Sequence, residues 1–136
     1  MKKSELFEIV KKTIGEALEN NDDGWTLHTR LIDDLNMDFY DVMDLSMDCI
    51  SQIACRLDFA EDVVRGLAEL EDMENDILSP DLKESLKKLA PEIDPSMFIE
   101  NMNLNDFMRL FTIESMVYLM SKAMKEQKDI EIEDDM

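Results

Sequence analysis

Glycine, proline and metal-binding side chains are scarce in this chain. Only three glycines and three prolines occur among 136 residues, and β-branched runs are rare, so the sequence predicts an almost entirely helical protein. The single histidine, His28, stands in a predicted loop without Cys or His partners at ligand spacing, which argues against a metal site. Cys49 and Cys55 are six residues apart, a spacing that fits neither a zinc knuckle nor a redox pair. We expect two free thiols, buried or partly buried.

Basic residues and long apolar runs are also lacking. The chain has 14 Lys and Arg against 33 Asp and Glu, a formal net charge of -19. Such a surface repels nucleic acid and anionic lipid and suits partners with basic surfaces, although it also serves solubility alone. No stretch approaches the ~18 apolar residues of a spanning helix, and no apolar run follows the lysines of "MKKSELFEIVKK". We therefore expect a cytoplasmic protein without membrane insertion.

Apolar periodicity predicts two helices in the first half of the chain. The first runs from about Lys3 to Asn20, and a long loop follows, in which Trp25 and three leucines can hold the chain against the core. Asp38 is the predicted N-cap of the second helix. Its expected apolar stripe comprises Tyr40, Met43, Met47, Ile50, Ile53, Ala54 and Leu57. Asp58 and Glu61 can then cap a further helix, so the pattern leaves open a kink or a break.

Capping signals mark the helices of the second half. Ser79 followed by Pro80 predicts a helix that ends at Pro91, and Asp94 starts a short helix through Ile99. Thr112 caps a final helix. Its predicted stripe is Ile113, Met116, Val117, Met120 and Met124. Residues 1–128 are thus predicted to form a single domain, and 129–136 an acidic, frayed tail.

The stretch "DDLNMDFYDVMDL" carries a motif within this helical frame. Its order, an acid-leucine pair at Asp34-Leu35, a short loop and an acid at Asp38 that opens a helix, resembles the acyl carrier protein family. Asp41 matches the acid that follows in that family, and Asp44-Leu45 fits its Glu-Leu one turn on. The similarity covers roughly residues 3–57 and 111–123. It implies an all-α, acyl-carrier-like bundle of about four core helices, with a helical insertion over 58–110 before the last helix.

The family's attachment serine is missing. Phe39 occupies its place, and Tyr40 that of the leucine that follows. A phenyl ring has no oxygen to phosphorylate, so the resemblance implies no 4'-phosphopantetheine at this position and no cofactor is expected unless the alignment is wrong. Ser46, two turns along the helix, is a weak alternative attachment site. The Phe39 ring either folds into the core or stays outside as an aromatic anchor for a partner.

The resemblance also implies a docking surface for enzymes of fatty-acid or polyketide-type metabolism, whose basic surfaces grip this helix in the family. The expected docking residues are Asp38, Tyr40, Asp41, Asp44 and Asp48. Aligned acids repel one another by a few tenths of a kcal/mol per pair, although they also suit the helix dipole. The leading prediction is thus a non-enzymatic interaction module. The alternatives are a functional carrier modified at another residue and a bundle that binds an apolar ligand between methionine-rich helices.

Overall fold

The computed structural model describes residues 1–19, 24–57, 59 and 61–136. The described residues form six α-helices, a short 3₁₀ helix and no strand longer than an isolated bridge, which confirms the predicted all-α bundle with a helical insertion. The α-helices are α1 (Lys3–Leu18), α2 (Phe39–Gln52), α3 (Glu61–Ala68), α4 (Pro80–Leu89), α5 (Leu104–Met108) and α6 (Ile113–Lys128).

The bundle core lies where α1, α2 and α6 pack against one another pairwise. The apolar pattern of α1 predicts a stripe of Leu6, Val10, Ile14 and Ala17 or Leu18. The first three are fully buried, whereas Leu18 is half-buried and Ala17 exposed. All five predicted stripe residues of α6 are buried too. Thr112 caps α6 as predicted, its hydroxyl accepting a hydrogen bond from the Ser115 amide.

The long loop before α2 is held against the entry of α6. Trp25 and Leu31 are buried in it, as expected. Its backbone pairs with the start of the last helix: the Leu31 amide donates to the Phe111 carbonyl (3.1 Å), and the Ile113 amide donates to the Thr29 carbonyl (3.0 Å). These bonds satisfy backbone groups at the start of α6 that have no partner within the helix. These bonds therefore hold the backbone that precedes Asp38 in a defined position against α6.

The second helix is shorter than its apolar pattern predicts. It ends at Gln52, and Ala54 takes a left-handed conformation with φ 55°. That backbone cannot continue a right-handed helix, so the apolar pattern up to Leu57 does not belong to α2. Of the capping pair predicted for the next helix, Asp58 lies outside the described residues, while Glu61 opens α3.

The inserted segment carries α3, α4, the 3₁₀ helix and α5. The predicted caps at Ser79 and Asp94 are confirmed. The Ser79 hydroxyl accepts a hydrogen bond from the Leu82 amide (3.1 Å), and the Asp94 carboxylate accepts one from the Ser96 amide (3.0 Å). The helix that Asp94 opens is a 3₁₀ helix over Pro95–Met97, so the prediction of a helix through Ile99 is too long. α3 packs chiefly on α4. Gly66 allows the close approach, since a Cβ there would lie 2.7 Å from Leu82 Cδ1.

The prediction of a frayed tail is wrong, because residues 129–136 pair with the start of α1. The Lys3 amide donates to the Glu133 carbonyl (2.8 Å), and the Ser4 amide donates to the Asp135 carboxylate (2.9 Å). Lys2, the N-cap residue of α1, has no side-chain acceptor, so a carboxylate from the other end of the chain caps this helix. The Ser4 hydroxyl also donates to this carboxylate and lowers the pKa of Asp135, and the hydrogen bond from the Ser4 amide lowers it further.

Candidate functional site

The entry of α2 is built on a reciprocal pair of hydrogen bonds. The Asp38 carboxylate accepts from the Asp41 amide (2.8 Å), and the Asp41 carboxylate accepts from the Asp38 amide (3.1 Å). This capping box satisfies backbone donors that the helix itself cannot pair. The prediction that Asp38 caps α2 is confirmed, and the helix starts at the next residue, Phe39.

The loop in front of the cap is also ordered by acids. The Asp34 carboxylate accepts from the Arg30 amide (2.8 Å) and closes a turn. Asp33 binds the Arg109 guanidinium (3.3 Å), which ties the loop to the end of the inserted segment. Asn36, with φ 57°, is the left-handed residue of the turn into Asp38, a conformation that Asn tolerates better than most side chains. These acids thus act within the fold, and the sequence motif alone did not reveal their partners.

Phe39 and Tyr40, the first two residues of α2, differ in their exposure to solvent. Phe39 is 5% exposed and belongs to the core, whereas Tyr40 is 65% exposed. Their rings meet edge to face at 5.3 Å. Of the two predicted arrangements for Phe39, the buried one is therefore confirmed. At this position the protein presents an apolar ring to its core and no group to solvent.

The buried face of α2 differs by about one residue from the predicted stripe. It comprises Phe39, Val42, Leu45, Ser46, Cys49 and Ile50. The predictions that Tyr40 and Met47 belong to the core stripe are wrong, because both lie on the opposite side, and Met47 is 57% exposed. The two sets of residues have the same helical spacing, and the cap geometry together with the neighbouring helices decides which one faces inward.

The predicted docking residues share the solvent side of α2. Asp38, Asp41, Asp44 and Asp48 are all exposed, as is Tyr40. Asp38 and Asp41 use their carboxylates in the capping box. No ion pair or side-chain hydrogen bond of Asp44 or Asp48 occurs within the described part of the chain. We call Tyr40, Asp41, Asp44, Met47 and Asp48 the acidic face of α2.

Ser46, the alternative attachment site, is buried. Its hydroxyl donates to the Val42 carbonyl (2.8 Å) and lies 3.3 Å from the Met116 sulfur. A modifying enzyme cannot reach this oxygen without opening the bundle. The two cysteines are free and buried, as predicted. Burial raises the pKa of the Cys49 thiol to about 11, with the neighbouring Asp48 charge adding to the rise, so this thiol is unreactive at neutral pH.

Glu92, which the sequence analysis missed, is a partly buried acid beside α6. Both carboxylate oxygens are shielded from water, and neither makes a hydrogen bond of good geometry to the described residues. Burial raises the pKa of Glu92, and the negative charge of Glu114 adds to the rise, while the nearby Ser115 hydroxyl offsets only part of it. The apolar surroundings in "LAPEI" were the sequence signal for this burial.

An open groove of ≈ 310 Å³ adjoins Glu92, bordered by Lys3, Glu114, Tyr118 and Asp134. Within residues 1–19, 24–57, 59 and 61–136, no three His, Cys, Asp or Glu side chains are arranged to hold a metal ion. His28 is exposed in the loop. In the same part of the chain, no helix is both long and apolar enough to cross a membrane.

Comparison of the chain with models of protein families, with curated proteins and with solved structures finds no match in any of the three. The resemblance to acyl carrier proteins therefore remains a prediction from the residues around Asp38.

Replacing Phe39 and Tyr40 separately by alanine tests the orientation of the two rings. Phe39→Ala should lower the free energy of unfolding by roughly 3–5 kcal/mol, because it empties a core position. Tyr40→Ala should cost about 1 kcal/mol or less, since it removes only an exposed ring and one edge contact. Urea titrations followed by circular dichroism measure both values. Equal losses would contradict the assigned orientation.

Glu92→Gln should change the pH dependence of stability. The pKa of Glu92 is higher in the folded than in the unfolded state. The stability that this difference contributes is therefore fully present below the unfolded-state pKa and is lost as the pH rises through the folded-state pKa. The free energy of unfolding of the variant should equal that of the wild type near pH ~4. At pH ~8 it should be higher by on the order of 1 kcal/mol, since water screens part of the Glu92 charge.

Urea titrations across that pH range make this measurement, with the exposed Glu100→Gln as the control for net charge. A pH-independent difference, or an equal gain from Glu100→Gln, would rule out the buried carboxylate as its source.

Proposed function

We propose that this chain is an acyl-carrier-like interaction module that docks on basic surfaces of enzymes in fatty-acid or polyketide-type acyl metabolism. It works in the cytoplasm by protein contact, without catalysing a reaction and without a phosphopantetheine group at Phe39. The acidic face of α2 is the observation that carries the proposal. It combines exposed carboxylates with an exposed aromatic ring and an exposed thioether on a helix that has no Lys or Arg.

Charge on this face favours a docking role over a purely structural one. Asp44 and Asp48 neither cap the helix nor pair with a base within the described residues. Aligned acids four residues apart repel one another, a cost that basic groups on a partner would relieve. Opposite charge also steers the encounter and rejects acidic surfaces. The acids therefore suit recognition of a surface rich in Arg and Lys.

Tyr40 and Met47 supply the apolar contact that charge alone lacks. They are two helical turns apart on one side of α2 and are 65% and 57% exposed. Aromatic residues and Met are enriched in protein interfaces, where they fill pockets on the partner. An apolar pair bordered by acids matches a partner surface with an apolar pocket and basic residues around it.

The packing of the helices supports the carrier-like scaffold. Residues 27–31, between α1 and α2, pair with the entry of α6, Asp38 opens α2, and α6 completes the three-helix core. This order of parts agrees with the family resemblance. Phe39 argues against covalent loading of this chain, because a phenyl ring at the attachment position offers no hydroxyl for a transferase.

Charge reversal at Asp44 and Asp48 tests the docking role. These two acids make no capping bonds, so a double Asp44→Lys, Asp48→Lys variant should keep the helical circular dichroism of the wild type. Its affinity for a purified β-ketoacyl synthase with a basic carrier-binding surface should fall by about tenfold or more, because attraction becomes repulsion. Titration calorimetry at low and high salt measures the affinity, which should also weaken as salt is added.

A double Glu69→Lys, Glu100→Lys variant is the matched control, since it makes the same charge change at exposed acids of the inserted segment. Equal binding by the wild type and the α2 variant, or an equal loss in the control, would refute docking through this face.

A further inference from the structure

The open groove beside Glu92 joins parts of the chain that are far apart in sequence. One face of α6 contributes Glu114, Val117, Tyr118 and Ser121, which recur at helical spacing. The other lining residues come from the start of α1, the turn after α4 and the tail, and they are Lys3, Glu92, Ile132 and Asp134. The groove measures ≈ 310 Å³, and small-molecule sites begin at about 300 Å³. Its size therefore suits a small ligand.

The groove carries more negative than positive charge. Its described lining residues include three acids, Glu92, Glu114 and Asp134, and one base, Lys3. The Lys3 ammonium lies 3.5 Å from a Glu114 oxygen and 4.0 Å from an Asp134 oxygen. Two acids thus share the one base, and no ion pair of Glu92 occurs among the described residues. A second positive charge in the groove would be attracted.

Glu92 is the acid of the groove that lacks a partner. Both of its carboxylate oxygens are shielded from water without a hydrogen bond of good geometry to the described residues, a costly arrangement for an ionised group. Glu92 belongs to the turn closed by the hydrogen bond from the Ile93 amide to the Ala90 carbonyl (3.1 Å), outside the helices. Its side chain can therefore turn toward a donor in the groove while the helices stay packed.

The groove also has apolar surface beside these charges. Val117 is buried and Ile132 half-buried, and the ring of Tyr118 lies between them in the lining. Burial raises the pKa of Tyr118, and the Glu92 charge adds to the rise, so the phenol and the carboxylate are near neighbours. Because aromatic faces attract cations, a positive group beside Glu92 would gain from the Tyr118 ring as well.

We propose that this groove binds a small primary amine, whose ammonium group donates to Glu92 and whose carbon chain lies on Val117, Tyr118 and Ile132. An ammonium brings three donors and a charge to an acid that lacks both. No three His, Cys, Asp or Glu side chains of the described residues are arranged around a metal ion, so an organic cation fits better than a metal. The site is independent of docking through the acidic face of α2, because α2 contributes no lining residue.

Titration calorimetry of the full chain with pentylamine and with 1-pentanol, two probes with the same carbon chain, tests the proposal. Near pH ~8 pentylamine should bind about tenfold more tightly or better, because it alone carries a charge for Glu92. The Glu92 carboxyl signal in carbon-13 spectra should titrate at lower pH with pentylamine bound, since a nearby cation favours the ionised acid. Equal affinities, no binding of pentylamine, or an unmoved Glu92 titration would overturn the proposal.

Removing the charge of Glu92 tests its role in recognition. Glu92→Gln keeps the shape of the side chain and should weaken pentylamine binding by about tenfold. Glu100→Gln, the same change at an exposed acid outside the groove, should leave binding unchanged and controls for net charge. Circular dichroism checks that both variants fold. Equal losses of affinity in the two folded variants would place the amine elsewhere and overturn the proposal.

Removing the charge of Lys3 should act in the opposite direction. Lys3→Gln frees Glu114 and Asp134 from their shared base and should strengthen pentylamine binding several-fold, because one repulsive charge leaves the groove. Lys12→Gln removes the same charge from an exposed position of α1 and is the control. If folded Lys3→Gln binds pentylamine no more tightly than folded Lys12→Gln, the ammonium does not enter this groove.

Discussion

The reciprocal hydrogen bonds between Asp38 and Asp41 fix the residue at which α2 begins, and the packing of the neighbouring helices then decides which face of α2 is buried. With the helix starting at Phe39, the first ring enters the core and the second stays in solvent. Asp44, one turn on, and Met47, two turns on, fall on the exposed side, while Met43 is half-buried. Consecutive residues are about 100° apart around a helix, so a helix shifted by one residue would present a different set of side chains to the core.

Two groups of acids in this chain have contrasting surroundings. Asp34, Asp38, Asp41 and Asp135 accept hydrogen bonds from backbone amides at turns and helix starts. Such acids stabilise the fold by pairing donors that would otherwise lack partners. Asp44 and Asp48 accept no such hydrogen bond within the described residues, so the presence of two acids that repel each other needs a different explanation. Recognition of a basic partner supplies one.

The helix caps were predicted correctly from the sequence, because a cap and the helix that it starts lie within a few residues of each other. Asp38, Ser79 and Thr112 all cap as predicted. The buried face of α2 was misassigned because Tyr40, Met43 and Met47 repeat with a helical period as well as Phe39, Val42 and Ser46 do. Only tertiary packing separates the two sets.

Contacts between distant segments of the chain could not be predicted from the sequence. Asp135 caps a helix 131 positions away, and nothing near the tail predicts that pairing. A small apolar cavity is lined by residues of α2 and of the three inserted α-helices α3, α4 and α5. The pKa of the partly buried Glu92 depends on Glu114 and Ser115 of α6. Of the candidate site, the cap and the exposed acids were predicted, whereas the direction of the two rings and the apolar cavity required the fold.

The most direct test of the account is whether the position after Asp38 is an attachment position that has lost its hydroxyl. Phe39→Ser should be incubated with coenzyme A and a broad-specificity phosphopantetheinyl transferase, after circular dichroism has established that the variant is folded. The intact mass should rise by one phosphopantetheine group, while the wild type and Tyr40→Ser, with a hydroxyl one residue further on, should remain unmodified. A folded Phe39→Ser protein that stays unmodified would contradict the carrier-like assignment.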